Sequence, residues 1–124
     1  MFYQCFDNVA MAFMEMQEHE SGNIIVCHGI VEAQKPGSKG RTGHAWIERD
    51  AAQADVRLAI DPTAKITMDA KQYRKSLNPA NLHEYTAKEF LYNWWLHKIP
   101  GPWEPEIKAV TRNSETGSQP AEKK

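Results

Sequence analysis

The sequence is poor in cysteine, in long apolar runs and in charge of one sign. Its two cysteines, Cys5 and Cys27, are too few for a disulfide scaffold and lack the close spacing of zinc ligands. No run approaches the roughly 18 apolar residues that span a membrane, and no signal-type segment follows Met1. The 15 Lys and Arg against 16 Asp and Glu leave a net charge of −1, which argues against nucleic acid binding. We therefore expect a cytoplasmic protein without nucleic acid or membrane partners.

The 124 residues have room for one domain. Hydrophobic residues make up 41% and charged residues 25%, close to the average of a globular domain. The last stretch, TRNSETGSQPAEKK, has no large apolar residue, so burial cannot offset the entropy lost on ordering it. The composition therefore predicts a folded domain over residues 1–110 and a disordered tail over residues 111–124.

Hydrophobic periodicity predicts an α+β fold. Apolar residues recur at helical spacing from Cys5 to about His19. Thr86 and Glu89 have the spacing of a capping box ahead of an apolar run, which predicts a C-terminal helix. A short helix is predicted over residues 69–75, and three strands over residues 23–32, 44–49 and 56–61. The predicted arrangement is an N-terminal helix that carries Cys5, packed on a small antiparallel sheet, with a C-terminal helix.

Three residues have the types and positions that nucleophilic catalysis needs. Cys5 lies where the first helix begins, and the free N–H groups and dipole there favour the nucleophilic thiolate. His44 opens the second predicted strand and Asp61 closes the third. If these strands pair as a hairpin, the start of one lies opposite the end of the other. His44 and Asp61 would then be neighbours, with the second imidazole nitrogen free to face the thiol.

Four segments carry a resemblance to a known family: QCFDNVAMAF, IIVCHGIV, GHAWIE and LAIDPT. Together they resemble the core of the transglutaminase-like cysteine hydrolases of the papain-like superfamily, over about residues 3–63. The chain would be a small member. The resemblance implies that Cys5 is the nucleophile, His44 the base and Asp61 the residue that orients it. It implies attack on an amide or peptide carbonyl through a thioester acyl-enzyme, with no metal or organic cofactor.

The acceptor of the acyl group stays open. Water would make the protein a cysteine peptidase, amidase or deamidase, and an amine would make it a cross-linking acyltransferase. The substrate would be a protein or peptide. An oxyanion hole would need the Cys5 N–H and a second donor, for which Gln4 and Tyr3 are candidates. Trp46, two residues after His44, either walls the cleft or packs beneath it.

Two other readings of the sequence compete with catalysis. In one, the fold is catalytically inactive and binds a partner protein through the helix that carries Trp94 and Trp95. Small proteins of mobile elements often act in this way, and such an origin would fit. In the other, zinc would be held by Cys5, Cys27, His28 and His44. Cys27 and His28 are adjacent on a strand and face opposite sides, so we expect Cys27 to be a core residue instead.

Overall fold

The computed structural model describes residues 4–19, 23–32, 40–51 and 55–117. Within these ranges the strands form one antiparallel sheet with the order β4-β3-β2-β1-β5. The helices pack on both faces of this sheet. The elements are α1 (Gln4–His19), β1 (Ile24–Glu32), β2 (Arg41–Asp50), β3 (Arg57–Asp61), β4 (Ile66–Asp69), α2 (Ala70–Leu77), β5 (Ala80–Thr86), α3 (Ala87–His97) and α4 (Pro105–Gly117).

The α+β class is confirmed, with its N-terminal helix, antiparallel sheet and C-terminal helix. The predicted capping box is also present, because the Thr86 hydroxyl accepts from the Glu89 N–H and the Glu89 carboxylate accepts from the Thr86 N–H. The prediction of three strands is wrong, since β4 and β5 were missed. Both are edge strands, and β4 has no buried residue while β5 buries only Tyr85. Edge strands of this kind lack the apolar alternation that marks a strand in a sequence.

The expected domain boundary after Val110 needs a correction. Helix α4 continues to Gly117, and Thr111 is only 3% exposed. The Thr111 hydroxyl accepts from the Gly43 N–H at 3.0 Å and donates to the Ile107 carbonyl at 2.7 Å. A small polar side chain thus anchors this part of α4 by hydrogen bonds. A prediction based on the lack of large apolar residues could not detect such an anchor. Residues 118–124 of the predicted tail lie outside the described residues.

The two faces of the sheet are covered by different helices. One face packs against α1, α3 and α4 in the larger core cluster, which includes Phe6, Phe13, Ile47, Phe90 and Ile107. The other face packs against α2 in a smaller cluster of Cys27, Trp46, Ala59, Ala70 and Tyr73. Full burial of each large apolar side chain contributes roughly 1.5–3 kcal/mol, so the larger cluster supplies most of the stability.

The alternation of β1 places its neighbouring residues on opposite faces, as predicted. Cys27 belongs to the smaller cluster beneath α2, whereas His28 contacts aromatic rings of the larger cluster. Both residues are fully buried. No helix within the described ranges is both long enough and apolar enough to cross a membrane.

Candidate active site

Cys5 occupies the first turn of α1, as the sequence predicted. The helix begins at Gln4, so the Cys5 N–H is among the four that have no partner inside the helix. The side chain is partly buried, and its sulfur lies 3.8 Å from the carbonyl oxygen of Gly43. The helix dipole and the free N–H groups both favour negative charge at this position.

His44 and Asp61 are brought together by the pairing of β2 with β3. The two strands are antiparallel, with Ile47 opposite Ile60, so the end of β3 approaches the early part of β2. His44 Nε2 lies 2.9 Å from Asp61 Oδ2. The other carboxylate oxygen of Asp61 accepts from the Ala64 N–H at 3.0 Å, which fixes the carboxylate at the start of the β3–β4 turn. The predicted neighbourhood of His44 and Asp61 is therefore present in the structure.

The environment of this pair favours its charged form. Burial of the imidazole disfavours protonation, but hydrogen bonds to Asp61 and Cys5, together with their charges, outweigh it and raise the pKa of His44 to about 9. Burial likewise opposes ionisation of Asp61, but hydrogen bonds from His44 and Tyr73 lower its pKa to about 2. At neutral pH the site therefore holds an imidazolium beside a carboxylate.

The Cys5 side chain lies close enough to the His44 imidazole to raise its pKa. Nε2 is engaged by Asp61 and by the Tyr73 hydroxyl, which leaves Nδ1 for the thiol. One imidazole thus links the carboxylate of β3 to the sulfur of α1. A positioned cation next to a thiol at a helix start stabilises the thiolate, which is the form that attacks carbonyl carbon.

Tyr73 is a site residue that the sequence did not reveal. Its hydroxyl donates to Asp61 Oδ2 at 2.5 Å and lies 3.0 Å from His44 Nε2. Burial and the hydrogen bond to Asp61 raise the pKa of Tyr73, so the phenol stays neutral and keeps its proton for the carboxylate. The sequence placed Tyr73 in a short helix, but no local signal indicates that this helix folds over His44.

The remaining predicted site residues are placed differently from one another. Trp46 is fully buried and its ring stacks with that of His44 at a centroid distance of 5.8 Å, so it packs beneath the imidazole. Gln4 is exposed at the first position of α1. Tyr3 lies outside the described residues. The Cys5 N–H lies beside the thiol without a partner inside the helix, and the roles of Gln4 and Tyr3 as oxyanion donors therefore stay predictions.

A buried ion-pair network supports the floor of the site. Trp46 Nε1 donates to Glu48, whose side chain is 1% exposed. Arg74 on α2 binds both Glu48 oxygens, at 2.7 and 2.9 Å, and Arg57 binds the same carboxylate at 3.3 Å. Because Arg74 follows Tyr73 directly, this two-point contact fixes the helix that presents the Tyr73 hydroxyl to Asp61.

A pocket of about 520 Å³ opens beside the site. His44, Asp61 and Tyr73 form one wall, while Cys5 does not line it. The other lining residues come from the β3–β4 turn, from β4 and from the end of α2, and are Thr63, Ala64, Ile66, Met68, Ser76 and Leu77. The His44 imidazole therefore lies beside the Cys5 thiol and also forms part of the pocket wall.

The four residues considered as zinc ligands do not assemble into one site. Cys27 and His28 lie on opposite faces of the sheet, and burial raises the pKa of the Cys27 thiol, which disfavours the thiolate that metals bind. A different group, His83 with Glu104 and Glu106, places its ligand atoms within 4.8 Å of one another among the described residues. The His83 and Glu104 side chains already pair at 3.7 Å.

The two tryptophans that the sequence indicated as a binding surface have different environments. Trp94 packs against the larger core and contacts the Phe90 ring. Trp95 is 65% exposed on the outer side of α3, next to Tyr92, with the Lys98 ammonium 5.3 Å from its ring centroid. Trp95 is therefore the more exposed of the two rings, and Trp94 is partly buried.

Comparison of the chain with protein-family models, curated proteins and solved structures finds no match. The resemblance to transglutaminase-like hydrolases therefore stays a prediction. What the site can do chemically follows from the side chains that the fold brings together.

Proposed function

We propose that the protein is a cysteine-dependent hydrolase or acyltransferase that acts on an amide or peptide bond. The observation that carries the proposal is the linked geometry of Cys5, His44 and Asp61. A thiol at a helix start lies beside an imidazole whose pKa it raises, and the imidazole Nε2 lies 2.9 Å from a buried carboxylate. Nucleophile, base and orienting group in this order define a catalytic triad by their roles.

In the proposed reaction the Cys5 thiolate attacks the carbonyl carbon of the amide. The oxyanion that forms accepts a hydrogen bond from the Cys5 N–H at the start of α1. The His44 imidazolium then donates its Nδ1 proton to the departing amine, and the C–N bond breaks to leave a thioester on Cys5. Asp61 keeps the imidazole in the orientation and tautomer that this transfer requires.

In the second half of the reaction neutral His44 accepts a proton from the acceptor that attacks the thioester. With water, the products are a carboxylic acid and the regenerated thiolate beside the His44 imidazolium. With an amine, the product is a new amide. Peptidase, amidase, deamidase and cross-linking reactions differ only in these substrates, so the triad supports each of them. Both cysteines are free thiols, which fits the reducing cytoplasm that we propose as the site of action.

The proposal is tested by alkylation of Cys5 with iodoacetamide between pH 5 and 9, with Cys27 as the internal control and mass spectrometry as the readout. We expect Cys5 to react quickly, because its side chain is only partly buried and the His44 imidazolium lies beside it. Cys27 is fully buried and should react slowly. His44→Ala should slow Cys5 at least tenfold at pH 6 and leave Cys27 unchanged. Equal Cys5 rates in the two proteins would refute a working Cys–His pair.

A second candidate function is protein binding without catalysis. It is favoured by the exposed apolar surface of α3 and the residues after it, where Tyr92, Trp95 and Leu96 are 56%, 65% and 48% exposed. Exposed apolar patches of this kind often mark interaction sites. On this reading Cys5→Ala leaves partner binding intact and Trp95→Ala weakens it, whereas Lys88→Ala, an exposed change on the same helix, has no effect. Loss of binding in Cys5→Ala would contradict it.

A further inference from the structure

The pocket beside His44 has apolar walls that the proposed chemistry does not use. Ile66 from β4 is 42% exposed, and Met68 and Leu77 are only partly buried against the smaller core cluster. These three side chains face the pocket from two different elements. Apolar surface left partly open in a concave site is the usual feature of a ligand pocket.

The polar side chains of the same lining are already engaged. Asp61 accepts from Ala64 and Tyr73 and pairs with His44. The Ser76 hydroxyl donates to the Tyr73 carbonyl, and the Thr63 hydroxyl accepts from the Asn8 amide. Among the described lining residues, one group is positive, His44, and one is negative, Asp61, and they neutralise each other. A charged ligand would therefore lose hydration in this pocket without gaining a counter-ion.

We propose that this pocket binds an uncharged apolar group of the substrate, such as a bulky aliphatic or aromatic side chain that flanks the scissile amide. The assignment rests on the proposed function. The pocket has a volume of about 520 Å³, which lies in the range of about 300–1,000 Å³ that small-molecule sites occupy. Binding would cover Ile66 and Leu77, and the free energy of that burial would select the substrate.

The position of Cys5 decides which part of the substrate enters. Cys5 is not part of the lining, while His44 is. The imidazole Nε2 contacts Asp61 and Tyr73, which leaves Nδ1 for the Cys5 side chain that raises the pKa of His44. The carbonyl that reacts must lie near the sulfur, so the pocket takes a neighbouring group on the far side of the imidazole. It is a specificity site rather than the site of bond cleavage.

The test compares three alkylating probes at Cys5: iodoacetamide, N-(4-phenylbutyl)iodoacetamide and the matched probe in which a carboxylate replaces the phenyl ring. Rates are normalised to those of glutathione. We expect the phenyl probe to react about tenfold faster than iodoacetamide, because partial burial of one ring is worth roughly that factor in affinity. The carboxylate probe should show no gain. Equal normalised rates for all three probes would overturn the assignment.

Two variants fill the pocket from different sides. Ser76→Trp and Ala64→Trp introduce a large ring from α2 and from the β3–β4 turn, both at exposed positions. Each should bring the ratio of the phenyl-probe rate to the iodoacetamide rate down to about one. Ala109→Trp adds the same ring at an exposed position of α4 outside the lining and should keep the full ratio. A ratio that persists in both pocket variants would contradict the proposal.

A second measurement separates the pocket from the catalytic proposal. The unreactive compound N-(4-phenylbutyl)acetamide is titrated into the wild-type protein, and the methyl NMR signals of Ile66, Met68 and Leu77 are followed. Shifts at these methyls, with slow alkylation of Cys5, would refute the proposed function and leave the apolar site in place. Fast, His44-dependent alkylation without shifts and without a phenyl-probe gain would refute the pocket alone.

Discussion

His28 should make the stability of this protein fall steeply in mild acid. Its side chain is fully buried, it contacts the rings of Phe6, Tyr85 and Trp103, and neither ring nitrogen has a hydrogen-bond partner among the described residues. Burial, with a smaller contribution from the charge of His83, lowers the pKa of His28 to about 3. The folded protein therefore holds this imidazole neutral.

The sign of the effect follows from where the proton binds more tightly. The ordinary pKa of 6.5 applies to the unfolded chain, which therefore binds a proton between pH 6.5 and 3 that the folded protein excludes. The stability contribution is full above pH 6.5 and is lost as the pH falls. At 1.36 kcal/mol for each pH unit, the contribution of His28 to the free energy of unfolding drops by about 2.5 kcal/mol between pH 7 and 4.5.

Other groups with a shifted pKa affect stability over different pH ranges. Burial opposes ionisation of Glu48, but its hydrogen bonds to Arg74 and Trp46 outweigh burial and lower its pKa from the ordinary 4.5, so its stabilising effect is lost only as the pH falls below about 4.5. His44 has a folded pKa of about 9, so its stabilising effect is complete below pH 6.5 and is lost as the pH rises toward 9. Asp61 has a folded pKa of about 2, so its effect is complete above its ordinary 3.8 and is lost only below it. The range from pH 6.5 to 4.5 therefore reports on His28.

The assay is urea unfolding followed by tryptophan fluorescence at pH 7 and 4.5. His28→Leu should remove most of the 2.5 kcal/mol difference between the two pH values, whatever its effect on stability at pH 7. His97→Gln, a change of an exposed histidine on α3, should keep the wild-type difference. The same pH dependence in wild type and His28→Leu would show that His28 is not held neutral by burial.

Two further predictions concern packing and the ion-pair network. Gly43→Ala should lower the free energy of unfolding by about 3 kcal/mol in thermal or urea unfolding, because its Cβ would lie 2.2 Å from a hydroxyl oxygen of α4. Gly29→Ala, whose Cβ meets only contacts of 3.4 Å or more, should change it by less than about 1 kcal/mol. Arg74→Met should lower the free energy of unfolding by about 3 kcal/mol, because it removes the closest partner of the buried Glu48 carboxylate. Lys75→Met, at the next and exposed position, should be nearly neutral, and equal losses in the two variants would contradict this role of Arg74.

The order of residues along the chain and the local sequence signals were sufficient to predict the central residues of the candidate site. Cys5 begins an apolar helix, and His44 and Asp61 lie at the two ends of strands that a hairpin would pair. Once that pairing exists, the antiparallel geometry alone brings the two side chains together. The capping box at Thr86 was likewise readable, since a cap depends on residues only three positions apart.

Contacts between residues far apart in the sequence could not be predicted from the sequence. Tyr73 reaches Asp61 because α2 packs on the smaller core cluster and Arg74 ties the helix to the buried Glu48. The edge strands β4 and β5 carry almost no apolar alternation, because their side chains are largely exposed. Residue Thr111 looked like part of a tail, yet it is buried against Gly43.

The sequence by itself determined the class of fold and the three residues that carry the proposed chemistry, because helix starts, strand ends and caps are encoded over a few neighbouring positions. Only the tertiary structure decided that Tyr73 joins Asp61, that an apolar pocket adjoins His44, and that His28 is buried with no hydrogen-bond partner in the described part of the chain. Each of these depends on which surfaces pack together across the chain, and hydrophobic periodicity specifies that a face is buried without specifying what covers it.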